Sequence, residues 1–241
     1  MGRRTALAAL LMAATWISCG GGGDPEPPAP SPEPAPRYPE GACLVVDEQV
    51  ILTAEVDRLA AWIALIEPHD TLPSRRRAAL THTILERAAL ATAYPEARTA
   101  GRARAEGLLA DLAGGLDPTA DLLATHDPGA RLGVVEGTWD DVGLVPWGEA
   151  REAGPAALGS WLGPFEEPGR WVLLRALEHV PGKAPGADLC RIDLVTLPFV
   201  PTDLTRADVE ATIDDARLEL ADPAWREIVP AAWRLRMNGP D

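Results

Sequence analysis

The sequence has few of the residues that most often carry chemistry. Its 241 residues include 4 His, 3 Cys, 2 Tyr and 2 Phe, and 22 Lys and Arg stand against 36 Asp and Glu. A surface that binds nucleic-acid phosphates needs a basic surplus, so a net charge of −14 argues against a nucleic-acid partner. An acidic surface is otherwise that of an ordinary soluble protein.

Recognisable catalytic and metal-binding motifs are also missing. There is no Gly-x-Ser-x-Gly segment and no phosphate-binding glycine loop, and no His, Cys and Asp residues stand at metal-ligand spacing. The glycines at 20–23 belong to a linker. We therefore expect no metal and no cofactor.

The first 18 residues have the pattern of a secretory signal peptide. Arg3 and Arg4 precede an apolar run of about twelve residues, which is too short to span a bilayer comfortably. "WISC" (16–19) resembles the lipobox of bacterial lipoproteins, in which Cys19 would be lipidated, although Trp16 replaces the usual Leu. The alternative is an unlipidated signal peptide with an incidental cysteine.

Residues 19–41 form a linker rich in proline and glycine. Alternating prolines favour extended polyproline II at about 3.1 Å per residue, which gives a semi-rigid spacer of roughly 60 Å. A lipid anchor on Cys19 would then hold a folded module away from a membrane. We expect a location in the bacterial cell envelope, at the outer membrane and facing the periplasm.

Two cysteines remain, Cys43 and Cys190, each beside an apolar run typical of a strand. In an oxidising compartment they can form a disulfide that ties the N-terminal strand to the last third of the chain. Two separately buried thiols are the alternative.

Residues 42–95 are predicted to be a mainly helical region. After a short strand, a helix begins near Thr53, and a second is predicted to begin at Ser74 after Pro73. A third helix has Ala105, Leu108, Leu109 and Leu112 on its inner face and stops at Gly114–Gly115.

The start of this region resembles the SurA-type periplasmic chaperones and their lipoprotein relatives. The resemblance lies in "VVDEQVILTAEVDRL" (45–59), followed by a helix of the "RRAALTHTILERAAL" kind (76–90). Asp47 stands where those proteins commonly have Asn.

Residues 96–180 resemble the parvulin (PpiC-type) peptidyl-prolyl isomerase domain. The matching segments are "LDPTADLLATHDPGARLG" (116–133), "VGLVPWGEA" (142–150), which is matched to a family strand, and "ALGSWLGPFEEPGRWVLLRALE" (157–178). The last segment has a tight turn at Pro168–Gly169, and the resemblance makes it the closing hairpin of the domain. The resemblance implies an α+β fold in which a helical N-terminal arm accompanies a small domain of antiparallel sheet and flanking helices. An unrelated α+β domain with turns at similar places is the alternative.

The resemblance also implies candidate site residues. Asp127 falls on the family's catalytic Cys-or-Asp position, Leu144 and Trp147 fall in the substrate-binding segment, and Trp171 takes the place of the second family histidine. The opening strand that carries the first histidine is absent before the third helix. We therefore expect a protein that binds unfolded or proline-containing polypeptide, with isomerase activity weak or lost. The alternatives are an active isomerase and a non-catalytic docking subunit of an envelope complex.

Residues 181–241 are predicted to be a strand-helix-strand extension. "RIDLVTLPFV" (191–200) alternates as a strand does and can fill the sheet position left by the missing opening strand. Thr205 with Asp208 predicts a capping box at the start of a helix that ends at Asp222–Pro223, with Val209, Ile213, Ala216 and Leu220 on one face. Alternation of Trp233, Leu235 and Met237 predicts a final half-buried strand.

Overall fold

Helices and strands are interleaved along residues 37–184 and 186–237, the part of the chain that a computed structural model describes. The signal peptide, Cys19 and nearly all of the predicted linker lie outside these residues. The helices are α1 (Thr53–Ile66), α2 (Leu72–Ala79), α3 (Leu85–Ala93), α4 (Pro95–Ala113), α5 (Ala120–His126), α6 (Trp139–Val142), α7 (Leu144–Ala153), α8 (Arg206–Asp215) and α9 (Ala231–Arg234). The strands are β1 (Ala42–Val46), β2 (Gln49–Leu52), β3 (Arg131–Gly137), β4 (Trp161–Glu167), β5 (Arg170–Val180), β6 (Leu189–Pro198) and β7 (Leu218–Leu220).

The strands form two antiparallel sheets, which confirms the α+β class. The smaller sheet has the order β2-β1-β7, so a strand from near the C-terminus pairs with the first strand. The larger sheet has the order β3-β6-β5-β4.

The larger sheet contains the hairpin and the strand predicted from the sequence. β4 and β5 form the hairpin, with its turn at Pro168–Gly169, and β6 corresponds to the "RIDLVTLPFV" strand. β6 lies between β3 and β5 and pairs with both. Only Tyr94 separates α3 from α4, so no strand lies between these two helices, as predicted.

The helix predictions are correct except at the start of α2 and at the end of α8. α1 begins at Thr53, and α4 buries Ala105, Leu108 and Leu112 before it ends ahead of Gly114. α2 begins at Leu72 and not at Ser74, because the Thr71 hydroxyl caps it and accepts the Ser74 backbone N–H at 3.4 Å. Between α2 and α3, Leu80–Ile84 form a π-helical turn.

The C-terminal helix α8 begins with the predicted capping box, but it ends at Asp215 and not at Asp222–Pro223, because residues 218–220 pair with β1 as strand β7. Thr205 accepts the backbone N–H of Asp208, whose carboxylate in turn accepts the backbone N–H of Thr205.

Two predicted strands are wrong. Residues 142–150 lie mostly in α7, which begins after Gly143 (φ +93°) and tolerates Pro146 because a first-turn residue needs no N–H partner. Residues 233–237 begin in the short helix α9, which starts after Pro230 and leaves Leu235 90% exposed. In both places a turn-forming residue overrides a weak apolar pattern.

Two hydrophobic cores cover the two faces of the larger sheet. Leu174 and Ala176 of β5 belong to the first core, which also contains residues of α1, α7 and the smaller sheet. Trp171 and Leu173 belong to the second core, together with residues of α4 and α5. This division follows from the alternation of side chains along a strand.

Helix α1 packs closely against α7 in the first core. The Trp62 ring lies on Gly148, where a Cβ atom would be 2.3 Å from the ring. The indole N–H of Trp62 donates to Glu152 Oε1 at 2.6 Å, and Arg58 donates to both Glu149 and Glu152. Absence of a side chain at 148 therefore permits the contact between the two helices.

Cys43 and Cys190 are both buried free thiols, which agrees with the second interpretation given above. Cys43 is in β1 of the smaller sheet, and its thiol donates to the Ile51 carbonyl oxygen at 3.3 Å. Cys190 is in β6 of the larger sheet. Burial raises the pKa of Cys43 to about 11 and also raises the pKa of Cys190.

We expect Gly148→Ala to destabilise the fold by about 1–3 kcal/mol, because the added methyl group overpacks the Trp62 ring. Urea unfolding measures the change in the free energy of unfolding. Gly107→Ala in α4 is the control, since its new Cβ would be 3.4 Å from the His126 ring and should bring only the higher helix propensity of alanine. Equal stability of the two variants would contradict the Trp62–Gly148 contact.

We expect the thiols of Cys43 and Cys190 to react slowly with a disulfide reagent in the native protein near neutral pH, because only a thiolate attacks. In a Cys19→Ser variant both should react at once in urea, without prior reduction. A raised folded-state pKa also means that stability declines as the pH rises from about 9 towards about 11. No reaction in urea until a reductant is added would instead reveal a disulfide.

Candidate functional site

The residues predicted to bind substrate do not surround one groove. Trp147 belongs to the first core and Trp171 to the second, on opposite faces of the larger sheet. Trp147 is completely buried and Trp171 is 4% exposed. Neither ring can therefore accept a ligand without rearrangement of a core.

Trp171 fills the space between β5 and α4. Its indole N–H donates to the Arg98 carbonyl oxygen at 3.0 Å, and a Cβ at Gly101 would lie 3.1 Å from its ring. The Phe199 ring packs beside it with centroids 6.5 Å apart. A residue so enclosed stabilises the fold and replaces no catalytic imidazole.

Trp147 is a packing residue of α7. The Arg151 guanidinium lies 5.5 Å from its ring centroid, and its indole N–H has no hydrogen-bond partner among the described residues. The ring is sealed inside the first core and faces no solvent.

Asp127 holds the turn between α5 and β3. Its carboxylate accepts the Gly129 backbone N–H at 2.7 Å and the Arg104 Nε–H at 2.9 Å. The residue is 7% exposed, and both of its oxygens are engaged. These contacts give Asp127 a structural role in the conformation described.

Leu144 is the predicted substrate-binding residue that does line a cavity. It is half-buried at the start of α7 and faces a cleft of about 340 Å³. The cleft lies where the π-helical turn, the start of α7 and the β4–β5 turn meet. Its walls are formed by His82, Thr83, Trp139, Gly143, Leu144, Val145, Glu167, Pro168 and Arg170.

The π-helical turn brings a hydroxyl group to this cleft. Thr81 and Thr92, on either side of Thr83, each donate to the carbonyl oxygen four residues earlier. Thr83 is 5% exposed and makes no such bond within the part of the chain described. Since π-helical turns are often found at functional sites, this wall is a candidate place for a ligand.

The opposite wall carries a buried carboxylate. Glu167, 7% exposed, accepts a hydrogen bond from Arg170 Nε at 2.7 Å and forms an ion pair with the same guanidinium. A Cβ at Gly143 would lie at an ordinary contact distance of 3.8 Å from the carboxylate, so glycine is favoured there by its φ of +93° and not by this contact. The ion pair makes this end of the cleft polar but close to neutral.

Trp139 is distinguished from the other tryptophans by its surroundings. Among the seven described tryptophans, six have an arginine guanidinium over the ring, namely Trp62, Trp147, Trp161, Trp171, Trp225 and Trp233. Trp139 has none within residues 37–184 and 186–237, and it is half-buried at the cleft.

Trp139, Thr83 and Glu167 were not predicted from the sequence to be site residues. Thr138 and Asp141 form a capping box that places Trp139 at the first position of α6, and that signal is readable from the sequence. The convergence of Trp139, Thr83 and Glu167 from three distant segments is not.

Comparisons of the chain with known protein families, curated proteins and solved structures found no match. Within the described residues, no three His, Cys, Asp or Glu side chains are grouped to hold a metal ion. No helix in the same part of the chain is long and apolar enough to cross a membrane.

Proposed function

We propose that this protein binds extended, proline-containing polypeptide in the cleft beside Trp139 and does not accelerate its isomerisation. The observation that carries the proposal is the indole ring of Trp139, which has no cation over it among the described residues and lines the same cleft as Thr83. The resemblance of residues 96–180 to parvulins is in keeping with it.

The apolar part of the cleft suits a proline ring. Trp139 and Leu144 offer an aromatic face and a branched aliphatic side chain beside each other. Aromatic-lined grooves recognise proline-rich segments because these segments are already extended and lose little entropy on binding.

The polar part of the cleft suits a peptide backbone. A proline contributes a carbonyl oxygen but no N–H, so its recognition needs donors. The Thr83 hydroxyl and a ring nitrogen of His82 are such donors on one wall. The Glu167–Arg170 pair on the other wall leaves no unpaired buried charge to oppose a neutral segment.

The surroundings of the family-derived positions argue against catalysis. The uncatalysed barrier to rotation about an X–Pro bond is about 20 kcal/mol, and lowering it requires groups that favour the twisted amide. Trp171 takes a histidine position and is enclosed by α4, while Asp127 is bound to Arg104 and the Gly129 N–H. Neither contacts the cleft beside Trp139.

The proposal extends to the location of the protein. A lipidated Cys19 and the following linker would hold the cleft at a distance from the outer membrane, facing the periplasm. Polypeptides that cross this compartment unfolded would then be within its reach.

We expect Trp139→Ala to weaken binding of a dye-labelled proline-rich peptide by about tenfold or more, measured by fluorescence anisotropy. The loss of the aromatic face is the physical cause. Trp161→Ala is the matched control, because Trp161 is also half-buried but lies under Arg175, away from the cleft. Equal affinities of the two variants would refute the cleft as the binding site.

The hydroxyl of Thr83 can be tested in the same titration. Thr83→Val keeps the shape and removes the donor, whereas Thr81→Val makes the same change at an exposed position of the same helix. Weaker binding of the first variant alone supports the proposed backbone contact, and unchanged binding of both variants contradicts it.

We expect a proline-peptide isomerisation assay to give the uncatalysed rate. Asp127→Ala should leave that rate unchanged and lower stability, because Arg104 and the Gly129 N–H lose their acceptor. A rate above background that disappears in this variant, at an equal folded fraction, would instead establish an active isomerase.

A further inference from the structure

The edge strand β3 is unusually open. It pairs with β6 over all seven of its residues and with no other strand among the residues described. Its outward-facing apolar side chains are prominent, with Leu132 41% and Val134 58% exposed. Between Arg131 and Glu136 the strand carries no charge.

The other edge of the same sheet is protected. β4 contains Pro164, has a register shift between Leu162 and Phe165, and is packed against α4. A proline and an irregular register are the usual devices that prevent a further strand from pairing with an edge. β3 has neither, so its free N–H and C=O groups are available to another chain.

An apolar cleft runs beside this edge. It lies between α5 and the start of β3 and has a volume of about 460 Å³. Apolar side chains form most of its wall, among them Pro118, Leu123, Pro128, Ala130 and Leu132. A helix beside an open edge strand is an arrangement that accepts an extended peptide, whose alternate side chains enter the cleft.

The charges around the cleft indicate the character of the occupant. Asp117 and Asp121 precede and begin α5, Glu136 is near the far end of β3, and none of the three is in an ion pair with a described residue. The one cation of the cleft wall, Arg131, donates to the carbonyl oxygens of Pro128 and Ala130. The chain as a whole has a net charge of −14.

We infer that the open edge of β3 and the cleft beside α5 bind a basic, amphipathic segment of a partner polypeptide as an added antiparallel or parallel strand. Backbone hydrogen bonds to β3 would supply affinity. Apolar side chains at alternate positions would enter the cleft, and lysine or arginine between them would meet Asp117, Asp121 and Glu136. This surface shares no residue with the cleft beside Trp139, so the inference does not rest on the function proposed above.

The test is a titration with a short peptide of alternating valine and lysine. The control peptide has the same sequence with alternate backbone nitrogens methylated, so that charge and side chains are kept while strand pairing is lost. We expect the control to bind at least about tenfold more weakly. Amide hydrogen exchange of β3 should slow with the first peptide only.

Variants of the protein locate the surface. Val134→Lys places a positive charge at the exposed edge and should weaken binding of the first peptide at least about tenfold. Val180→Lys is the matched control, because Val180 is also a strand residue and 44% exposed, but lies on β5. Urea unfolding of both variants checks that the fold is retained.

Three results would overturn the inference. The first is a methylated peptide that binds as tightly as the unmethylated one. The second is an equal affinity of Val134→Lys and Val180→Lys for the valine-lysine peptide. A free protein that is a dimer, and becomes a monomer with Val134→Lys, would show that a second copy of this chain covers the edge instead. Trp139→Ala should leave binding of the valine-lysine peptide unchanged, which separates this test from that of the proposed function.

Discussion

The pairing of β6 with both β3 and β5 is the constraint on which the rest of the fold depends. β6 is the central strand that joins β3 to the β4–β5 hairpin, and both cores contact it. Cys190 and Ile192 belong to the first core, whereas Val195 and Leu197 belong to the second. Removal of this strand would separate β3 from the hairpin and open both cores, because β3 has no other strand partner among the described residues.

Tryptophan and arginine together account for much of the packing around this sheet. Six of the seven described tryptophans lie beneath a guanidinium group, which lets an amphipathic ring be buried at the boundary of a core while the charge stays near solvent. Trp139 is different in that it lines a cleft with no guanidinium over its ring among the described residues. The residue type therefore has two uses in one protein, and only the neighbours of each ring tell them apart.

The candidate site was predictable only in part. Leu144 was identified from the resemblance and does line the cleft, but it was assigned to a strand that is in fact α7. Trp147 and Trp171 were both predicted to bind substrate, but they lie in separate cores. Trp147 is on α7 in the first core, whereas alternation along β5 turns Trp171 into the second core beneath α4. Thr83 was overlooked because a π-helical turn, which gives its hydroxyl a free position, leaves no clear pattern in a sequence.

Features that depend on neighbouring residues could be predicted from the sequence alone. The Thr205–Asp208 capping box, the Gly114 stop and the Pro168–Gly169 turn each depend on neighbours within a few residues, and each is present as predicted. Helical periodicity predicted α1 and α4, but it failed at residues 218–220, which pair with the distant strand β1. The tertiary structure alone decided that β6 is central, that β7 completes the sheet begun by β1, and that three distant segments form the cleft. Those features depend on contacts between residues far apart in the chain, whose free energies no local pattern records.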